Sequence, residues 1–347
     1  MATAPAVELP ARRGRDLLAR ARLGVEPGLR GWVEQLPPAM AWPAGYHLGW
    51  LDADGRSVAA VRGKAVRPAL AFACAEAVGG RARDAVSAAV AVELVHAFSL
   101  VHDDIIDGDR TRRHRPTVWR AFGVPAAVLT GDVLLALACQ TAAGDPGPRA
   151  ARSVSWLAGA VVELVEGQAA DVAFALRTDV TVEQYTAMAS AKTGALMGCA
   201  CAVGALAGGA GEDRAGRLAG FGRYLGVAFQ IVDDLLGIFG DPRITGKPVG
   251  ADLAARKKTY PVLAALASDT RAGRDLAALY AGGDPLTGDQ LAQAARWVSE
   301  AGGRSSAGQA AQQELARAFA ALDEADPHPE ALADLTALAH VLTHRER

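Results

Sequence analysis

The sequence predicts an all-helical bundle. Alanine and leucine dominate it, and long stretches repeat apolar residues at helical spacing. No block alternates with the period of two that marks a strand. Glycine and proline clusters at 79–80, 144–147, 208–209, 282–285 and 302–303 cut the chain into segments. Residues 1–45 come first, as an arm interrupted by Pro5, Pro10, Pro27, Pro37, Pro38 and Pro43. The arm leaves room for one short helix around residues 16–22, suited to packing in a dimer or to docking another protein. Residues 46–347 then read as a single domain, with helices expected at 86–101, 126–143, 150–174, 182–206, 214–239, 290–301 and 306–323.

A chain of 347 residues, half of them apolar, can bury a sizeable core. Its net charge of -2 argues against nucleic acid as the partner. Cys74, Cys139, Cys199 and Cys201 sit in alanine-rich stretches without metal-ligand spacing and read as reduced thiols of a cytoplasmic protein. The first nineteen residues lack the apolar run of a secretory signal, and no run approaches the roughly 20 uncharged apolar residues of a membrane span.

Two acidic clusters break this pattern. His102-Asp103-Asp104-Ile105-Ile106-Asp107 ends an apolar helix, and its four-residue spacing puts Asp103 and Asp107 on one face. There they repel each other and oppose the negative end of the helix dipole, so a cation is expected to compensate. Phe229-Gln230-Ile231-Val232-Asp233-Asp234 repeats the situation 130 residues later. Two such clusters suggest two walls of one pocket, with magnesium held by one or two carboxylates together with phosphate oxygens and water. Basic groups accompany both clusters: Lys64 and Arg67 at a helix start, Arg110, Arg112 and Arg113 after the first cluster, Lys192 in the middle of a helix, and Lys247, Arg256, Lys257 and Lys258 after the second. Guanidinium forks and ammonium groups placed in this way suit phosphates.

From about residue 45 to beyond Pro261 the chain resembles the trans-prenyl diphosphate synthases of the polyprenyl synthetase family. The resemblance rests on Gly63-Lys64-x-x-Arg67-Pro68, Glu93-Leu94-Val95-His96, Asp103-Asp104-x-x-Asp107 with Arg112-Arg113, Gly131-Asp132, Glu166-Gly167-Gln168-x-x-Asp171, Lys192-Thr193-Gly194, Phe229-Gln230-x-x-Asp233-Asp234, Thr245-Gly246-Lys247-Pro248, and Asp252 with Lys257-x-Thr259-x-Pro261, in that order. It implies the isoprenoid synthase bundle with a central active-site cavity, usually as a homodimer. It implies three magnesium ions, with Asp103 and Asp107 holding two and Asp233 a third, and with Asp104, Asp171 and Asp234 supporting them from behind. Arg112, Lys192, Lys247 and Lys257 would then bind an allylic diphosphate. Lys64, Arg67, His96 and Arg113 would bind isopentenyl diphosphate, and Gln230 and Thr193 would line the reaction centre.

The chain also departs from the family pattern. Gly237 stands where the second cluster usually carries a third acid, and Ala65 replaces a usual arginine in the first basic motif. Phe98 and Ser99, five and four residues before Asp103, resemble the arrangement of geranylgeranyl (C20) producers more than that of farnesyl (C15) producers. Three rivals stay open on the sequence: a class I terpene cyclase, a non-catalytic subunit of a two-chain synthase, and a helical scaffold. The cyclase would lack Lys64, Arg67, His96 and the second aspartate pair. The inactive subunit would be expected to lose more of the first cluster, and the scaffold gives no reason for paired aspartates on apolar helices.

Overall fold

The computed structural model describes residues 4–58, 60, 63–144, 149–240, 250–282 and 285–344. Within them the chain is helical almost throughout. Helix α1 spans Ala4–Val33, α2 Pro38–His47, α3 Val66–Ala77 and α4 Val86–Ile106. A hairpin of β1 (Thr111–Arg112) and β2 (Arg115–Pro116) precedes α5 (Val118–Phe122), α6 (Val124–Ala143) and α7 (Arg149–Ala175). Helix α8 (Val182–Ala189) runs through a π turn at Ser190–Gly194 into α9 (Ala195–Ala207). The remaining helices are α10 (Glu212–Phe239), α11 (Ala251–Ala254), α12 (Tyr260–Leu266), α13 (Arg271–Ala281), α14 (Gly288–Glu300), α15 (Gly303–Glu324) and α16 (Pro329–Thr343).

The chain forms two compact units. The first comprises residues 1–161, 199–219 and 322–340. Its core is built on α4, which buries Val90, Val92, Leu94, Val95 and Val101, and α4 packs against α1, α3 and α6. Small residues let the helices approach closely. A Cβ added at Gly204 of α9 would lie 2.2 Å from the Ala71 carbonyl oxygen of α3, and one at Gly208, just past the end of α9, would lie 2.5 Å from that of Ala75. The alanine and glycine enrichment thus has a packing cause.

The second unit comprises residues 162–198, 220–321 and 341–347. It holds two apolar clusters. One gathers Phe174, Tyr185, Met188, Val227, Ile231 and Leu263, and the other gathers Ile238, Leu253, Val262, Leu276 and Val298. Both clusters use α10, which carries the second acidic pair between them.

Three sequence expectations need correction. Helix α1 runs for 30 residues through Pro10 and Pro27, where only a short helix was expected. It persists because Leu17, Ala21, Val25, Leu29 and Val33, four residues apart, make one buried stripe against α3 and α4. Burial of that stripe outweighs the hydrogen bonds that proline removes. The hairpin was also not foreseen. Its register pairs Thr111 with Pro116 and Arg112 with Arg115, and Arg113 and His114 turn the corner at φ values of 51° and 62°. Two consecutive left-handed residues make the mirror-image turn that suits strand twist, here without glycine.

The third correction concerns membrane spans. Ala82–Ile106, Val124–Ala143 and Val182–Ala207 are long and apolar enough to cross a membrane by length and composition. Their apolar windows are 67%, 44% and 83% buried inside the fold. In the first and third, the apolar character serves the core. Val124–Ala143 is the least covered and leaves Val124, Val128 and Leu129 exposed.

Candidate active site

The first acidic cluster lies in the first unit, at the C-terminal end of α4, where Asp107 caps the helix. Asp103 is half-buried and Asp107 exposed, one helical turn apart on the same face. Asp104 points the other way and is only 1% exposed. Its Oδ1 accepts hydrogen bonds from Arg112 Nε at 2.8 Å and Nη2 at 2.7 Å. Burial raises the Asp104 carboxyl above its usual range, and Arg112 pulls it back. The β1–β2 hairpin therefore delivers Arg112 to Asp104 and turns Arg113 towards α4. The Thr117 hydroxyl and the Trp119 indole N–H both donate to the Asp109 carbonyl oxygen, each at 2.8 Å, and anchor the segment.

Arg113 lines a cavity with His47 of α2, Gly63, Glu93 and His96 of α4, and Trp50. The predicted isopentenyl-diphosphate residues Arg67, His96 and Arg113 therefore gather about one place, where each lies close enough to Glu93 or its neighbours to shift their titration. Lys64 precedes them on an exposed position beside Ala65, whose φ of 54° is strained for a residue with a side chain. Burial, Arg113 and Arg112 hold the His47 imidazole down to about 3, and burial with Arg67 and Arg113 puts His96 well below its usual value. Both rings are neutral at pH 7. Phe98 and Ser99 are each 7% exposed. Phe98 meets His102 edge to face at 4.9 Å, while Ser99 turns its hydroxyl to the His96 carbonyl at 2.9 Å, leaving a small face beside Asp103.

The second unit carries the other predicted residues. The Lys192-Thr193-Gly194 motif occupies the π turn, a distortion that helices keep mostly at functional sites. It is wedged between two glycines. A Cβ on Gly167 of α7 would lie 2.3 Å from the Lys192 nitrogen, and one on Gly226 of α10 would lie 2.7 Å from the Gly194 Cα. Lys192 Nζ meets Asp171 Oδ2 at 2.6 Å. A chain of hydrogen bonds then crosses to the acidic pair. Thr193 Oγ1 donates to Gln230 Oε1 at 2.8 Å, Gln230 Nε2 to Asp234 Oδ1 at 3.2 Å, and the Tyr185 hydroxyl to Asp234 Oδ2 at 2.5 Å. The Tyr260 backbone N–H also donates to Asp234 Oδ2, at 3.1 Å. Burial pushes the Asp234 carboxyl up to about 7 against these donors. Asp233 beside it is half-buried.

The two clusters thus share a division of labour. The second aspartate of each pair, Asp104 or Asp234, is buried and held by the protein, while the first, Asp103 or Asp233, keeps exposed surface. Asp171 is likewise held, by Lys192. Sequence reading did not find Tyr185 or His47; neither lies in a charged motif. It also left Gly237 unexplained. A Cβ at Gly237 would lie 2.0 Å from Asp252 Oδ2, so the carboxylate of α11 fills the space of the missing side chain. Lys257 follows that helix on an exposed position, and its backbone nitrogen bonds the Asp252 carbonyl at 2.9 Å. Lys247 lies outside the described residues.

The donor set fits magnesium arriving with a phosphate ligand. Among the described residues no three His, Cys, Asp or Glu side chains already converge as an all-protein cage. Mg2+ instead takes one or two carboxylates, substrate phosphates and water, a donor set of the kind that Asp103 with Asp107 offers in the first unit and Asp233 offers in the second.

The sequence profile described as Polyprenyl synthetase matches residues 49–298. The chain belongs to the polyprenyl synthetase family. Relatives bear this out along nearly the whole length. The chain is 45% identical over 339 residues to a geranylgeranyl diphosphate synthase of Mycobacterium tuberculosis, covering 97% of this chain and 96% of that protein. It is 43% identical over 338 residues to a (2E,6E)-farnesyl diphosphate synthase of Mycobacterium bovis, covering 96% and 94%. The crystal structure of a polyprenyl synthetase from Streptomyces coelicolor A3(2) superposes with a TM-score of 0.91 at 43% identity, over 94% of this chain and 98% of that one. This polyprenyl synthetase is therefore a prenyltransferase with the all-α isoprenoid synthase fold, acting on isoprenyl diphosphates.

Proposed function

We propose that the enzyme condenses isopentenyl diphosphate with an allylic diphosphate and releases geranylgeranyl diphosphate, the C20 product. The observation that carries this reading is the pairing of one held and one presented aspartate in each acidic motif, beside separate sets of cations. Asp103, Asp107 and Asp233 would hold three magnesium ions, and Asp104, Asp171 and Asp234 would fix the groups around them. Bound there, magnesium would supply positive charge against the departing diphosphate and make it a better leaving group. Arg112, Lys192, Lys247 and Lys257 bind the allylic diphosphate, and Lys64, Arg67, His96 and Arg113 bind isopentenyl diphosphate. Thr193 and Gln230 line the reaction centre, held in place by their mutual hydrogen bond. The double bond of isopentenyl diphosphate attacks the allylic carbon as its bond to oxygen breaks, and a proton leaves to the departing diphosphate. Positioning and preorganised charge supply the rate, since no protein nucleophile is required.

Product length follows from Ser99 and Phe98. Small Ser99 opens depth below Asp103, and Phe98 closes it at the C20 length. The farnesyl (C15) product is the alternative, favoured by the near-equal identity to synthases of both names. The enzyme works as a homodimer in the cytoplasm. The dimer is supported by the uncovered apolar side chains of α6, and the reducing compartment by four cysteines free of disulfides. The test is incubation with labelled isopentenyl diphosphate, Mg2+ and C5, C10 or C15 starters. Extracted C20 products are expected, longer ones from Phe98→Ala. No chain elongation from any starter refutes the synthase reading, and an unchanged product from Phe98→Ala refutes its role in length.

A further inference from the structure

The cavity beside Glu93 is lined from α1 as well as from the motifs, by Arg22, Val25, Glu26 and Leu29. These four lie on one helical face, opposite Glu93, Ala97 and Leu100 of α4. The cavity measures about 50 Å3. One water takes about 10–15 Å3 of such a space, so it holds about three to five waters, or one phosphate group.

Its charge is unbalanced. Arg22, Arg67 and Arg113 all act on the Glu93 carboxylate. Glu26 holds Arg30 at 3.0 Å, and the two histidines, His47 and His96, are kept neutral. Three guanidinium groups thus face one enclosed carboxylate. Arg22 Nε, Arg67 Nε and Glu93 Oε2 are buried without a hydrogen-bond partner among the described residues. Leaving a buried guanidinium N–H without an acceptor is costly, and a phosphate oxygen is the acceptor that fits both the charge and the fork geometry.

We infer that Arg22 of α1 is a further substrate-binding residue, donating to the terminal phosphate of isopentenyl diphosphate in this cavity. The inference rests on the proposed function and adds α1 to the binding site. It gives the buried stripe of α1 a second purpose: besides covering α3 and α4, the stripe fixes the height of Arg22 over Glu93. Arg113 lines the same cavity from the hairpin, so the phosphate would be met by guanidinium groups from two elements, with Arg67 acting on Glu93 nearby.

The experiment is isothermal titration of isopentenyl diphosphate into the full-length protein in EDTA, with steady-state kinetics alongside. Arg22→Gln is expected to raise Kd and the KM for isopentenyl diphosphate about ten- to a hundredfold, the loss of one or two charge-assisted hydrogen bonds. The KM for the allylic diphosphate and kcat should stay within about threefold of wild type. Arg22→Lys keeps the charge but loses the fork, and should recover part of the affinity. A lowered melting temperature with unchanged Kd would make Arg22 a neutraliser of Glu93 alone and overturn the inference. Should Arg22→Gln not fold, the Arg22→Lys variant decides, and a Kd equal to wild type overturns it. Wild-type protein that binds and elongates, beside a variant that binds equally well, separates this failure from failure of the synthase reading, in which wild type itself would not elongate.

Discussion

Adjacent aspartates on α10 should respond to truncation in opposite ways. Asp234→Ala removes the acceptor of the Tyr185 hydroxyl, the Tyr260 N–H and the Gln230 amide. Tyr185 is only 2% exposed, so its hydroxyl cannot turn to water. Each buried donor left unmade costs about 1–3 kcal/mol, and the total comes to about 4 kcal/mol once relief from burying a carboxyl offsets part of it. At about 2.1 cal/mol/K per residue, 347 residues give an unfolding entropy of about 0.7 kcal/mol/K, so the melting temperature should fall by about 5–6 °C. Asp233→Ala removes a half-buried carboxylate and should lower the melting temperature by less than Asp234→Ala does, while turnover collapses. Circular-dichroism melting and product assays on both variants read the two effects. An Asp234→Ala protein melting within 2 °C of wild type, or an Asp233→Ala protein with normal turnover, refutes the reasoning.

Other outcomes follow from the same geometry. Gly167→Ala drives a Cβ to 2.3 Å from the Lys192 backbone nitrogen, so the π turn must move; a loss of about 1–3 kcal/mol in urea unfolding and at least tenfold in kcat is expected. Gly237→Ala puts its Cβ 2.0 Å from Asp252 Oδ2 and should displace that carboxylate; the expected result is weaker Mg2+ affinity, read as a raised half-saturating Mg2+ concentration for activity. His47 is held down to about 3 by burial and Arg113, whereas the unfolded ring protonates near 6.5. The unfolded chain therefore binds the extra proton between those values, and the stability present above pH 6.5 drains away as pH falls towards 3. From pH 7 to 5 the loss is about 2 kcal/mol, and His47→Gln should flatten that slope in urea titrations.

Much of this was legible in the sequence because it was written in local spacing. Helices α4, α6, α7, α8 with α9, α10, α14 and α15 follow the apolar repeats and the glycine breaks closely. The four-residue spacing of Asp103 and Asp107 fixed their shared face before any coordinates. What stayed hidden depends on distant partners. The proline-bearing α1 exists as one helix because its stripe at Leu17, Ala21, Val25, Leu29 and Val33 finds a cover on α3 and α4, and a propensity argument weighs Pro27 without that cover. The hairpin turn at Arg113 and His114 uses left-handed residues that carry no glycine signal. Tyr185 and Arg22 look like ordinary helix residues until their contacts are known. Gly237 reads as a lost ligand in one dimension and as room for the Asp252 carboxylate in three.

The central claim is that the presented aspartates hold magnesium on the allylic diphosphate. The direct measurement is binding of a non-ionising allylic diphosphate analogue, titrated with and without Mg2+ to wild type, Asp103→Asn and Asp233→Asn. Tight binding to wild type that requires Mg2+, and falls at least tenfold in each variant, is the result expected. Equal affinity in EDTA, or in either variant, would contradict it.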